Sequence, residues 1–114
     1  MKLIFDEDII DKLYFGEQDL INQMFKLFLE QLVESKVIIL KGYQSKDFEM
    51  LKSIFHKMRP SFKMVGLVEV FDQFEIHERK MKDKDLPYLD ENYQNILVTI
   101  DCAYEFIEKR LQEN

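Results

Sequence analysis

Apolar side chains in this chain recur at three- and four-residue intervals over long stretches, and no stretch alternates convincingly at two. The clearest run is Tyr93, Ile96, Leu97, Ile100, Ala103, Tyr104, Ile107 and Leu111. That spacing lines one face of an α-helix, whereas a half-buried strand needs a period of two. With only 3 glycines and 2 prolines there are few of the turn formers that a many-stranded β fold requires. The periodicity therefore predicts an all-α fold.

The expected elements follow from the pattern and its punctuation. "FDEDIIDKLYFG" reads as a short lead-in helix, with Asp6 as N-cap and Gly16 as stop. A first long helix is expected over 17–41, with Glu17 and Asp19 at its dipole-favoured start, Ile21, Met24, Phe25, Phe28, Leu32 and Ile39 on its apolar stripe, and Gly42 at its end. A second covers 47–65 and is closed by Gly66; a third covers 67–81. "KDKDLPYLD" reads as a loop because it is charged and holds Pro87. A fourth helix is expected over 91–112, capped by Asp90. Four amphipathic helices with short connections imply one domain over 1–114, an antiparallel up-down four-helix bundle with a short N-terminal lead-in helix.

A net charge of −6 argues against general binding to nucleic acid or to membrane surfaces, which takes a basic face. Cys102 is the single cysteine, so no disulfide can form within the chain, which suits a reducing cytoplasm. No apolar run is long enough to span a bilayer, and "MKLIFDEDIIDKL" lacks the layout of a signal peptide. A cytoplasmic monomer is expected.

The charge is uneven. Between Lys52 and Lys63 lie four cations, Lys52, Lys57, Arg59 and Lys63, and no acid. On a helical wheel Phe48, Leu51, Phe55, Met58, Phe62 and Val65 share an arc about 100° wide, which is the core side. His56 falls well outside that arc, with Lys52, Arg59 and Lys63 within about 60° of it. The histidine is expected to be exposed between cations. Like charges on one face repel, so the cluster needs a reason. Cations disfavour imidazolium, a neutral imidazole is a nucleophile, and cations hold a phosphoryl group well. A solvated helix face is the plain alternative.

The string "FHKMRPSFKMVGL" resembles the signature of histidine-containing phosphotransfer (HPt) domains. In that pattern a hydrophobic residue lies two positions after the histidine, a basic one three, a small or turn residue four, a serine five and a glycine ten. Here these are His56, Met58, Arg59, Pro60, Ser61 and Gly66. The order of lead-in, long helix, histidine helix and two further helices extends the resemblance over most of the chain.

The resemblance implies a phosphocarrier rather than an enzyme. His56 would accept a phosphoryl group from the receiver domain of a hybrid histidine kinase, or from a kinase itself, and pass it to a response-regulator receiver. The partner would supply the acidic pocket and Mg²⁺, and this chain no cofactor or metal. Arg59 would support the phosphoryl oxygens where the family usually has lysine, with Lys52 and Lys63 beside it. Pro60, Ser61 and Gly66 would shape the docking face. Pro60 departs from the family's usual glycine and removes the N–H that would bond the His56 carbonyl.

Other candidates are weaker. His77 reads as a surface residue, Cys102 as a partly buried one, and Tyr43, Tyr88 and Tyr93 as rim contacts or packing. No glycine-rich phosphate loop is present. Two rival functions remain. One is a helical adaptor that binds a receiver or kinase without phosphate. The other is a small phosphatase or hydrolase, disfavoured because the only acid expected near His56 is Glu49, two turns away.

Overall fold

The computed structural model describes residues 1–113, and among them there are five α-helices and no strand. They are α1 (Glu7–Tyr14), α2 (Gln18–Gln44), α3 (Phe48–Met64), α4 (Val68–Lys82) and α5 (Leu86–Glu113). Helix α2, at 27 residues, is about 40 Å long and matches the 42 Å long dimension of the molecule. No helix among the described residues is long and apolar enough to cross a membrane.

The helices pack as a ring. Helix α2 lies against α3 and α5, and α4 lies against the same two. The diagonal pairs α2/α4 and α3/α5 keep their Cα atoms more than 8 Å apart. Helix α1 packs across α2 and α3. The middle of the ring is filled by an aromatic ladder. Phe28 of α2 meets Phe62 of α3 at 5.6 Å, Phe62 meets Phe74 of α4 at 4.7 Å, and Phe74 meets Phe55 at 5.6 Å. Tilted and edge-on contacts of this kind add to the area term of burial.

Helix ends explain where the elements begin and stop. The Asp6 carboxylate accepts from the Ile9 N–H and starts α1. Phe15 and Gly16, both at positive φ, then turn the chain into α2. Asp47 caps α3 by accepting from the Met50 N–H. Gly66 closes α3 at φ 82°, while the Leu67 N–H reaches back to the Phe62 carbonyl at 2.8 Å. A side chain at Gly66 would also meet the Phe5 ring at 2.9 Å, because the lead-in segment lies against this turn and the Asp6 N–H bonds the Gly66 carbonyl.

Three details differ from the sequence expectation. Gly42 does not end α2, which runs on through Gln44; Lys46 takes the left-handed conformation instead. Gly42 is buried, and a Cβ there would lie 2.8 Å from Leu51 of α3, so the glycine serves a close helix approach. The segment expected as a loop over 82–90 is mostly helix. Asp85 accepts from the Tyr88 N–H and caps α5, so Pro87 sits in the first turn, where a missing N–H costs nothing. Asp90 is therefore inside α5, not its cap, and accepts hydrogen bonds from Tyr43 and Lys46.

Candidate functional site

Helix α3 presents His56 because its neighbours along the chain are committed to the core. Leu51, Ile54, Phe55, Met58 and Phe62 are buried, and Phe55 has no exposed surface. The next residue is turned about 100° away and its side chain is 71% exposed. The left-handed turn at Gly66 then sends α4 back along α3. This brings Glu78, 22 residues downstream, against the imidazole: its Oε2 lies 2.9 Å from His56 Nδ1.

A carboxylate only accepts, so Nδ1 is the donor in this pair. In the neutral ring the proton then sits on Nδ1 and the lone pair on Nε2. Nε2 has no hydrogen-bond partner among the described residues. Glu78 is in turn gripped by Arg59, whose Nη1 donates to Oε1 at 2.6 Å. Burial pushes the Glu78 carboxyl up, but the hydrogen bonds from Arg59 and His56 outweigh it and hold the pKa below its ordinary value. An ionised Glu78 thus stands behind an outward-facing imidazole.

The expected site residues are only partly brought together. Arg59 is near His56 but is directed to carboxylates, Glu78 and, at 3.9 Å, Glu75. Its Nε is buried without a hydrogen-bond partner, and its guanidinium lies 5.3 Å from the Phe71 ring centre. Lys52 pairs with Glu49 at 3.2 Å. Lys63 lies over Phe71 at 5.4 Å. Ser61 donates towards Gln31 of α2 at 3.3 Å. Pro60 is exposed, and α3 continues through it for another turn. Gly66 is a full helix segment away from the imidazole, at the turn into α4.

The face is therefore not acid-free. Glu75 and Glu78 join Lys52, Arg59, Arg79 and Lys82 around an open depression of about 200 Å³ between α3 and α4. The expectation that Glu49 is the only nearby carboxylate is wrong, because that view took in one helix and α4 supplies the acids. The missed residues do carry a signal. Glu75, Glu78, Arg79 and Lys82 recur at i, i+3, i+4 and i+7, a charged stripe on the third of the long helices.

His77 is the other correction. It is buried, not on the surface, with 8% of its area exposed. It touches Phe55 and Phe74, and its Nδ1 is 2.7 Å from the Tyr88 hydroxyl. Burial lowers its pKa from 6.5 to about 4, so it is a neutral core residue near neutral pH. The tyrosines pack: Tyr43 stacks on Tyr93 with ring centres 3.6 Å apart, and Tyr88 bonds His77. Among the described residues no group of three or more His, Cys, Asp or Glu side chains could hold a metal ion.

Comparison of the chain with protein-family models, with curated proteins and with solved structures finds no match.

Proposed function

We propose that this chain is a phosphocarrier in a multistep phosphorelay, with His56 as phosphoacceptor. Helices α2–α5 would form the antiparallel up-down four-helix bundle on which such a histidine is displayed, with α1 as its lead-in. The observation that carries the reading is the pairing of His56 Nδ1 with an ionised Glu78, which leaves Nε2 exposed and unpaired.

In this reading Nε2 attacks the phosphorus of a receiver's aspartyl phosphate. The N–P bond forms, the P–O bond breaks, and the aspartate leaves as carboxylate with the electron pair. The ring becomes a phosphoimidazolium whose Nδ1–H stays on Glu78. The positive ring is stabilised by that carboxylate yet remains a good leaving group, because departure regenerates neutral imidazole. The reverse step onto a second receiver's aspartate is then accessible. The depression lined by Arg59 and Glu78 beside the imidazole is open, which favours a partner's active site over a small-molecule one. Leu27 and Met64, both partly exposed, line the neighbouring α2/α3 groove with Gln31 and Ser61 and offer apolar contact to a docked receiver.

The test is to incubate the chain with phosphorylated receivers and examine the product. Label should appear on this chain as an acid-labile, alkali-stable phosphoramidate. Acid-stable label, or none from any receiver, removes the proposal. Glu78→Ala is expected to slow single-turnover transfer about tenfold to a hundredfold, since the ring loses its orientation. Glu78→Gln keeps an acceptor oxygen and should recover the share of the rate that ring orientation supplies, but not the share that the carboxylate's charge supplies. Wild-type rates in Glu78→Ala would rule out a positioning role.

A further inference from the structure

Helix α2 also shows solvent an apolar stripe that the phosphotransfer reading does not use. Val33, Val37 and Leu40 fall within about 60° of arc. They are 55%, 47% and 42% exposed. Together with Leu32, Ile100 and Tyr104 they line an open, mainly apolar groove of about 310 Å³ along the α2/α5 seam. This seam lies across the ring from the α3/α4 seam that carries His56 and Glu78.

The charges beside the stripe are arranged asymmetrically. On the α5 side, Lys36 is already paired with Asp101 at 2.7 Å. On the other side stand Glu34 and Lys41, exposed and opposite in sign, and neither makes a salt bridge or side-chain hydrogen bond among the described residues. They are seven residues apart, about two turns, and lie about 80–100° from Val33. These are the offsets of positions that flank the seam of a coiled coil.

That pattern is complementary to itself. Two copies of α2 laid antiparallel about a two-fold axis near Val37 set Val33 of one copy opposite Leu40 of the other. The same operation sets Glu34 opposite Lys41, twice. A surface that satisfies its own charges under a two-fold is what an isologous dimer requires. We propose that the chain forms a homodimer through the Val33–Val37–Leu40 face of α2, with reciprocal Glu34–Lys41 pairs fixing the antiparallel register. Such a dimer, in place of the monomer expected from sequence, would hold its two His56 faces away from the interface. The inference does not depend on His56 accepting phosphate.

Sedimentation equilibrium of the whole chain at physiological ionic strength tests it. The expected result is a monomer–dimer equilibrium in the micromolar range. Val37→Glu should be monomeric at the same concentrations with an unchanged helical circular dichroism spectrum, since the side chain is half exposed. Glu34→Lys and Lys41→Glu should each weaken dimerisation about tenfold, because each creates two like-charge contacts. The double variant should restore it. A wild-type chain that stays monomeric at hundreds of micromolar, as it would if the groove served a foreign helix, overturns the proposal. So does a Val37→Glu chain that dimerises like wild type. Charge variants without effect overturn the antiparallel register.

Discussion

A His56→Gln chain is expected to take up no phosphoryl group and to keep its fold. The imidazole has 71% of its side chain exposed and fills no core space, so its removal leaves the Leu51, Phe55, Met58 and Phe62 packing intact. A glutamine amide can still donate to Glu78, and Arg59 continues to hold the other carboxylate oxygen. Stability should change by no more than about 0.5 kcal/mol, as for other surface substitutions. The chemistry, by contrast, disappears. An amide nitrogen shares its lone pair with the carbonyl and does not attack phosphorus, so the loss of transfer should be complete.

Three outcomes separate the functional readings. Label retained by His56→Gln shows that another residue accepts the phosphoryl group. Binding of a receiver without label in either protein is the adaptor's signature. Multiple turnover of a phosphoester by wild type, lost in His56→Gln, is the enzyme's. This last reading regains chemical ground from Glu78, a carboxylate hydrogen-bonded to an imidazole being the usual equipment of a general base. The open surface around the pair is what still weighs against it.

The second large effect concerns acid stability. His77 titrates at about 4 in the folded chain against 6.5 when exposed, so the unfolded state binds more protons between those values. Stability contributed by the neutral form is fully present above the unfolded value and is lost as pH falls from 6.5 towards 4. The slope approaches 1.4 kcal/mol per pH unit, and the whole window amounts to about 3 kcal/mol. Glu78 acts lower. Its folded pKa is depressed, so its contribution is lost only as pH falls below the ordinary carboxylate range. Denaturant unfolding at a series of pH values should therefore show a decline already by pH 5.5. His77→Leu fills the aromatic pocket without a titratable group and should flatten the curve above pH 4.5. The Tyr88 hydroxyl it abandons is half-buried and can turn to water. An unchanged acid limb in His77→Leu would mean that burial of this ring does not govern it.

How much was legible in the sequence depends on the range of the forces involved. The helices follow from a 3.6-residue period that any window of ten residues displays, and the caps from side chains three positions from the N–H groups they accept. Hence the helical class, the Asp6 and Asp47 starts and the Gly66 turn were readable. The errors in local structure came from residues with two meanings. Gly42 looks like a helix stop and is a packing gap for Leu51. Pro87 looks like a breaker and sits in the first turn of α5, where its missing N–H has no intrahelical partner to lose.

The sequence by itself determined which residue of α3 is displayed. His56 follows Phe55 in a helix whose apolar arc must face inward, and that geometry needs no partner. What surrounds His56 was decided by tertiary structure alone. A wheel ranks residues on one helix and is blind to the next, so it found cations and missed Glu75 and Glu78. The turn at Gly66 lays α4 beside α3, converts Arg59 from a free cation into a partner of Glu78, and places a carboxylate on Nδ1. The same folding step buries His77, which the sequence alone placed on the surface. Charge interactions are set by distance in space, and 22 residues of chain become 2.9 Å only when the helices pack.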